Sequence, residues 1–67
     1  MKKVIYRIDK GKFFTAFNNK LYDVKVPDEF IGMLSSNRHG YRCEGEFIKL
    51  GNHIYFKVSN IISNINL

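Results

Sequence analysis

Around the pair Gly51-Asn52, every second residue carries one face of the chain: Tyr41, Cys43, Gly45 and Phe47 before it, and Ile54, Phe56 and Val58 after it. A period of two is a strand period, because successive side chains of an extended strand point to opposite faces. Glycine followed by asparagine suits a type II′ hairpin turn, which needs glycine first. The fourth strand is therefore expected over Tyr41 to Leu50 and the fifth over His53 to Val58. Leu50 should then oppose His53, Phe47 should oppose Phe56, and Glu46 should oppose Lys57 as a cross-strand ion pair. A hairpin alone is marginal in water, and the chain has only 67 residues to support it. At this size one domain buries about 60% of the surface its unfolded chain exposes. Cys43 is the single cysteine, so no internal disulfide is available, and one thiol with His39 and His53 does not make a structural zinc set. Stability must come from packing or from a partner.

The first half supplies three further strands. Val4, Tyr6 and Ile8 read as the inner face of the first strand, Phe13, Thr15 and Phe17 of the second, and Tyr22, Val24 and Val26 of the third. Asn18-Asn19 can provide the two positive-φ residues of a type I′ turn, which sets Phe17 against Lys20, Thr15 against Tyr22 and Phe13 against Val24. For the first hairpin, a four-residue Asp9 to Lys12 loop sets Ile8 against Phe13 and Tyr6 against Thr15. The three-residue alternative would place Arg7 opposite Phe13 on the core face, so the alternation selects the longer loop. After Val26 the period changes. Phe30, Ile31, Met33 and Leu34 follow Pro27-Asp28-Glu29 at helical spacing, with proline in the first turn and two carboxylates at the positive end of the dipole. The expected fold is mainly β, in the order β-β-β-α-β-β, with one short helix near residues 28–36. Residues 59–67 form either a short final strand or a docked tail.

The net charge of +5 is unevenly placed. Residues 1–26 carry Lys2, Lys3, Arg7, Lys10, Lys12, Lys20 and Lys25 against Asp9 and Asp23, which accounts for the whole excess. Beyond them Arg38, Arg42, Lys49 and Lys57 are cancelled by Asp28, Glu29, Glu44 and Glu46. A basic half suits a polyanion, since each lysine or arginine placed on a phosphate releases condensed counterions. No catalytic constellation is present: the sequence holds no glycine-rich phosphate loop, nucleophile elbow or His-x-x-x-His spacing. Cys43 falls on the inward face and reads as a small buried hydrophobe. No enzyme activity, cofactor or metal is expected. The apolar run after Met1-Lys2-Lys3 is broken by Arg7, Asp9 and Lys10, so no membrane segment is expected and the setting reads as cytoplasmic.

The element order, with the segments Gly11-Lys12-Phe13-Phe14-Thr15-Ala16-Phe17, Tyr22-Asp23-Val24-Lys25-Val26 and Gly51-Asn52-His53-Ile54-Tyr55-Phe56-Lys57-Val58, resembles the five-stranded OB-fold barrel. In particular it resembles the small RNA-binding barrels typified by bacterial translation initiation factor 1, over roughly residues 3–62. The acidic Asp28-Glu29 and the uncharged C-terminal strand depart from that family. The resemblance implies an RNA-binding barrel.

The residues themselves point to a binding surface on the outer face of strands one to three, where Arg7, Phe14 and Asp23 form one expected row and Ile5, Ala16 and Leu21 the next. Arg7, Lys10, Lys12, Phe14 and Lys25 are the candidate binding residues, and Arg38, Tyr41 and Arg42 make a second basic and aromatic cluster. An exposed ring between cations suits a stacked base with its phosphates. Two other readings remain: the strip is covered by the helix or tail, or it docks a protein. In the latter case the chain is a small modulator or inhibitor of a host protein, phage-encoded if its Ile-, Lys- and Asn-rich composition reflects an AT-rich genome.

Overall fold

The computed structural model describes residues 1–9, 12–34 and 40–65, with Ile8 and Asp9 as backbone alone. The elements are β1 (Lys2–Asp9), β2 (Lys12–Phe17), β3 (Lys20–Lys25), α1 (Asp28–Leu34), β4 (Tyr41–Leu50) and β5 (His53–Asn64). The strands close into a barrel in the order β1-β2-β3-β5-β4. All pairings are antiparallel except β3 with β5. This is the mainly β, OB-like barrel with one short helix that the element order predicts.

Both turns at 18–19 and 51–52 follow from residue type. Asn18 and Asn19 sit at φ 51° and 64°, the left-handed pair a type I′ turn needs, and the β2–β3 ladder runs Phe17↔Lys20, Thr15↔Tyr22 as expected. Gly51 sits at φ 62°, and Leu50↔His53, Phe47↔Phe56 and Glu46↔Lys57 all stand opposite each other. The Glu46–Lys57 ion pair does not form: among the described residues the ion pair within 4 Å is His53–Asp23. Beyond Gly45 the ladder shifts register twice, at Glu44/Gly45 and at Arg42/Cys43. These irregularities let β5 curl on to Asn64, so the expected short strand after Val58 is a continuation of β5.

The first strand corrects the sequence reading. Ile5 pairs with Thr15 and Arg7 with Phe13, so Ile5, fully buried, faces inward and Tyr6 faces out, 39% exposed. The hairpin viewed alone favoured the other register. Closure against β4 decides otherwise, because Ile5↔Tyr41 and Lys3↔Cys43 join the inward faces of both strands. A shift between Arg7 and Asp9 then brings Asp9 opposite Lys12, the local kink by which a bulge re-aims a strand. The register also satisfies Thr15, whose buried hydroxyl donates to the Val4 carbonyl at 2.8 Å.

The core consists of Ile5, Phe13, Leu34, Tyr41, Cys43, Phe56 and Val58, with Val24, Val26, Phe30, Phe47 and Ile61 packed against it. The helix enters through Leu34, and the Tyr41 hydroxyl donates to the Met33 carbonyl at 2.6 Å. Its first turn is closed by Phe30 N–H donating to Pro27 at 2.9 Å. The expected extension of the helix to 36 lies outside the described residues. Elsewhere in the interior Phe47 touches the rings of Phe17, Tyr22 and Phe56 at 5.1–5.3 Å between centroids, and the Lys3 ammonium lies 3.9 Å over Phe17.

Gly45 is the tightest backbone approach. A Cβ there would stand 2.1 Å from the Lys57 carbonyl oxygen, a backbone atom that cannot swing aside. Gly45→Ala should therefore destabilise at the upper end of the roughly 1–3 kcal/mol typical of overpacking. Denaturant unfolding measures this, and a change within about 0.5 kcal/mol, the range of neutral surface substitutions, would show that the β4–β5 crossing is looser than described.

Candidate nucleic-acid interface

The outer face of the barrel is defined by which residues its core takes. Since Ile5, Phe13, Thr15 and Phe56 point inward, their neighbours Tyr6, Phe14 and Tyr55 point outward. The ladders align these across four strands: Tyr6↔Phe14, Phe14↔Asp23 and Asp23↔Tyr55. Tyr6 and Phe14 stack at 5.5 Å between centroids with a 32° tilt, and Tyr55 lies 5.0 Å from the His53 ring. The row thus holds three half-exposed aromatic rings and one carboxylate.

A second row runs beside it. Two residues on from Asp23 and Tyr55, Lys25 and Lys57 stand opposite each other in the parallel β3–β5 ladder. Lys12 lies the same distance from Phe14 on β2, in the matching direction because β2 and β3 are antiparallel. All three are exposed. Like charges directly opposed on a sheet repel, and among the described residues no carboxylate lies within ion-pairing distance of Lys25 or Lys57, Glu46 standing opposite Lys57 on β4 without pairing with it. The Lys25 ammonium rests instead 4.5 Å over the Tyr55 ring. Phosphate oxygens would relieve this repulsion, and the flexible lysine stem can exchange a cation–π contact of about 0.5–1 kcal/mol for one of them.

Across the aromatic row from the lysines lies an apolar margin. Ala16 pairs with Leu21, and Leu21, 69% exposed, borders a shallow groove shared with Asp23, Asn52, His53 and Ile54. His53 Nε2 stands 3.4 Å from Asp23 Oδ2, an ion pair when the imidazole is protonated.

The predicted site residues distribute unevenly over this surface. Phe14, Lys12 and Lys25 are brought together. Arg7 is not with them: it is half-buried opposite Phe13, on the same side of β1 as Ile5, so the expected Arg7–Phe14–Asp23 row is replaced by Tyr6–Phe14–Asp23, and Ile5 leaves the row with Ala16 and Leu21. Tyr41 is 2% exposed and belongs to the core, since its ring faces inward opposite Ile5. Arg42 is exposed beside Val4 on the β1–β4 side, near Lys2 and Ile62, away from the aromatic row. Lys10, Arg38 and His39 lie outside the described residues. Sequence reasoning missed Tyr6, hidden by the one-residue slip of β1, and Tyr55 and Lys57, which join the face only through the parallel β3–β5 pairing.

The remaining chemistry is quiet. Burial pushes the Cys43 thiol up to about 11, leaving it protonated and unreactive at neutral pH. No group of three or more His, Cys, Asp or Glu residues able to hold a metal ion occurs among the described residues, and no helix among them is long and apolar enough to cross a membrane. No family model matches the sequence, and no curated protein or solved structure matches it significantly.

Proposed function

We propose that this chain is a small, non-enzymatic barrel that binds single-stranded RNA or DNA across the outer face of β1, β2, β3 and β5. The observation that carries the proposal is the juxtaposition of the aromatic row Tyr6, Phe14 and Tyr55 with the lysine row Lys12, Lys25 and Lys57. Bases stack on half-exposed rings while neighbouring cations hold their phosphates. OB-fold barrels in general bind oligonucleotides on the face of their second and third strands. The likeness of the strand rhythm to initiation-factor-1-type barrels supports the same reading, and a cytoplasmic setting is part of it.

Titrating labelled single-stranded RNA and DNA at two salt concentrations tests this. Affinity should fall as salt rises, and Phe14→Ala should lose about 1–3 kcal/mol of stacking with the salt slope nearly unchanged, because stacking releases no counterions. The absence of salt-dependent affinity for either nucleic acid would overturn the proposal. The second reading, a modulator docking on a host protein, is favoured by the exposure of Leu21 and Ile54 beside the same row. It predicts that Leu21→Ala and Phe14→Ala each abolish partner capture while the fold stays intact.

A further inference from the structure

Within the aromatic and lysine rows, Asp23 is the one carboxylate among the described side chains; Glu46 lies beyond them on β4, opposite Lys57. Asp23 stands in the aromatic row between Phe14 and Tyr55, 64% exposed, on a surface otherwise built of rings, lysines and small apolar groups. For holding phosphates it is in the wrong place, because a negative charge beside Lys25 weakens every phosphate contact nearby. For reading a base it is well placed. A base stacked on Phe14 or Tyr55 projects its edge along the row, and neighbouring strands are about 5 Å apart, so that edge reaches the carboxylate.

An ionised carboxylate only accepts hydrogen bonds. On the Watson–Crick edge, adenine offers one donor group at N6, cytosine one at N4 and uracil one at N3, whereas guanine offers adjacent N1–H and N2–H donors that match two carboxylate oxygens. His53 Nε2 stands 3.4 Å from Oδ2. Among the described residues Oδ1 has no protein partner, and Oδ2 keeps a second lone pair. His53 also packs on the Tyr55 ring, so it steadies the carboxylate at the margin of the stacking platform.

Resting on the single-strand reading above, we infer that Asp23 is a specificity-determining residue that selects guanine at one position of the bound strand through its N1–H and N2–H donors. The partner is a single strand containing an unpaired guanine, since these donors are occupied in a duplex.

The test uses oligouridylates of about twelve nucleotides, within the span of OB-type sites, bearing one central guanosine, adenosine, cytidine or inosine, with the full chain and Asp23→Asn. The guanosine probe should bind wild-type protein at least about fivefold more tightly than the all-uridine probe, the lower bound for a bidentate pair. Inosine, which lacks the N2 amino group, should lose most of that gain. Asp23→Asn should bind the guanosine and all-uridine probes alike, with its thermal melt unchanged. If wild-type protein binds every probe equally with steep salt dependence, the Asp23 assignment is overturned and the single-strand reading stands. Retention of the guanosine preference by Asp23→Asn also overturns it. Should no probe bind, the single-strand reading fails and the assignment with it. The inosine comparison needs no variant, so it decides even if Asp23→Asn does not fold.

Discussion

Phe56→Ala should destabilise the chain by about 3–5 kcal/mol, the cost of truncating a fully buried phenylalanine. Phe56 has no exposed surface, its ring lies edge-on to Phe47 at 5.2 Å, and its strand is the only one that joins β3 to β4. The cavity would open where the barrel closes. At about 0.05–0.15 kcal/mol per residue, a chain of 67 residues has a total stability of roughly 3–10 kcal/mol, so the loss removes about a third or more of it, and the variant should unfold at a much lower denaturant concentration than wild type. Phe47→Ala should cost less, because Phe47 is only partly buried. Chemical denaturation of the wild-type chain with circular dichroism of both variants reads the difference. Near-neutral behaviour of Phe56→Ala would mean that β5 does not close the barrel.

Replacing Lys12, Lys25 and Lys57 together by glutamine should change binding without changing the fold. All three are exposed, and removing Lys25 and Lys57 relieves their mutual repulsion across the β3–β5 ladder. Each phosphate contact contributes about 0.7 to the slope of log affinity against log salt on single strands, so the triple variant should be shallower by about 2. At roughly 50 mM salt the affinity should fall by more than about a hundredfold, and the two curves should converge as salt approaches roughly 1 M. An unchanged slope would show that these lysines do not meet phosphates. Arg42, on the β1–β4 side, is the matched control: Arg42→Gln should leave the slope close to wild type.

Much of this architecture is legible in the residues because turn chemistry and alternation agree. Asn18-Asn19 and Gly51-Asn52 each admit one short hairpin, and the registers they imply are those observed. The first strand lacks such a device. Val4-Ile5-Tyr6 is apolar at three successive positions, so alternation within the hairpin cannot say which of them faces inward, and the answer lies in the closure against Tyr41 and Cys43. That slip matters for the site, since it concealed Tyr6 and placed Arg7 on the outside. Tyr55 and Lys57 were hidden for a different reason. Nothing in the local sequence of β5 announces a parallel partner more than 30 residues away, and Lys57 already had a satisfying cross-strand partner in Glu46. Phe14, Lys12 and Lys25 were legible because they depend only on the β2–β3 hairpin, whose turn is unambiguous.

An amide-resolved NMR titration of the full chain with a single-stranded oligonucleotide tests the central claim most directly, because it reports where the strand lies as well as whether it binds. The amides of Tyr6, Phe14, Asp23, Lys25, Tyr55 and Lys57 should shift together and saturate at one concentration, while those around Val4, Arg42 and Ile62 stay in place. Shifts confined to the β1–β4 side, or none up to about 1 mM oligonucleotide, well above ordinary non-specific dissociation constants, would contradict the assignment of the aromatic and lysine rows as a single-strand binding face.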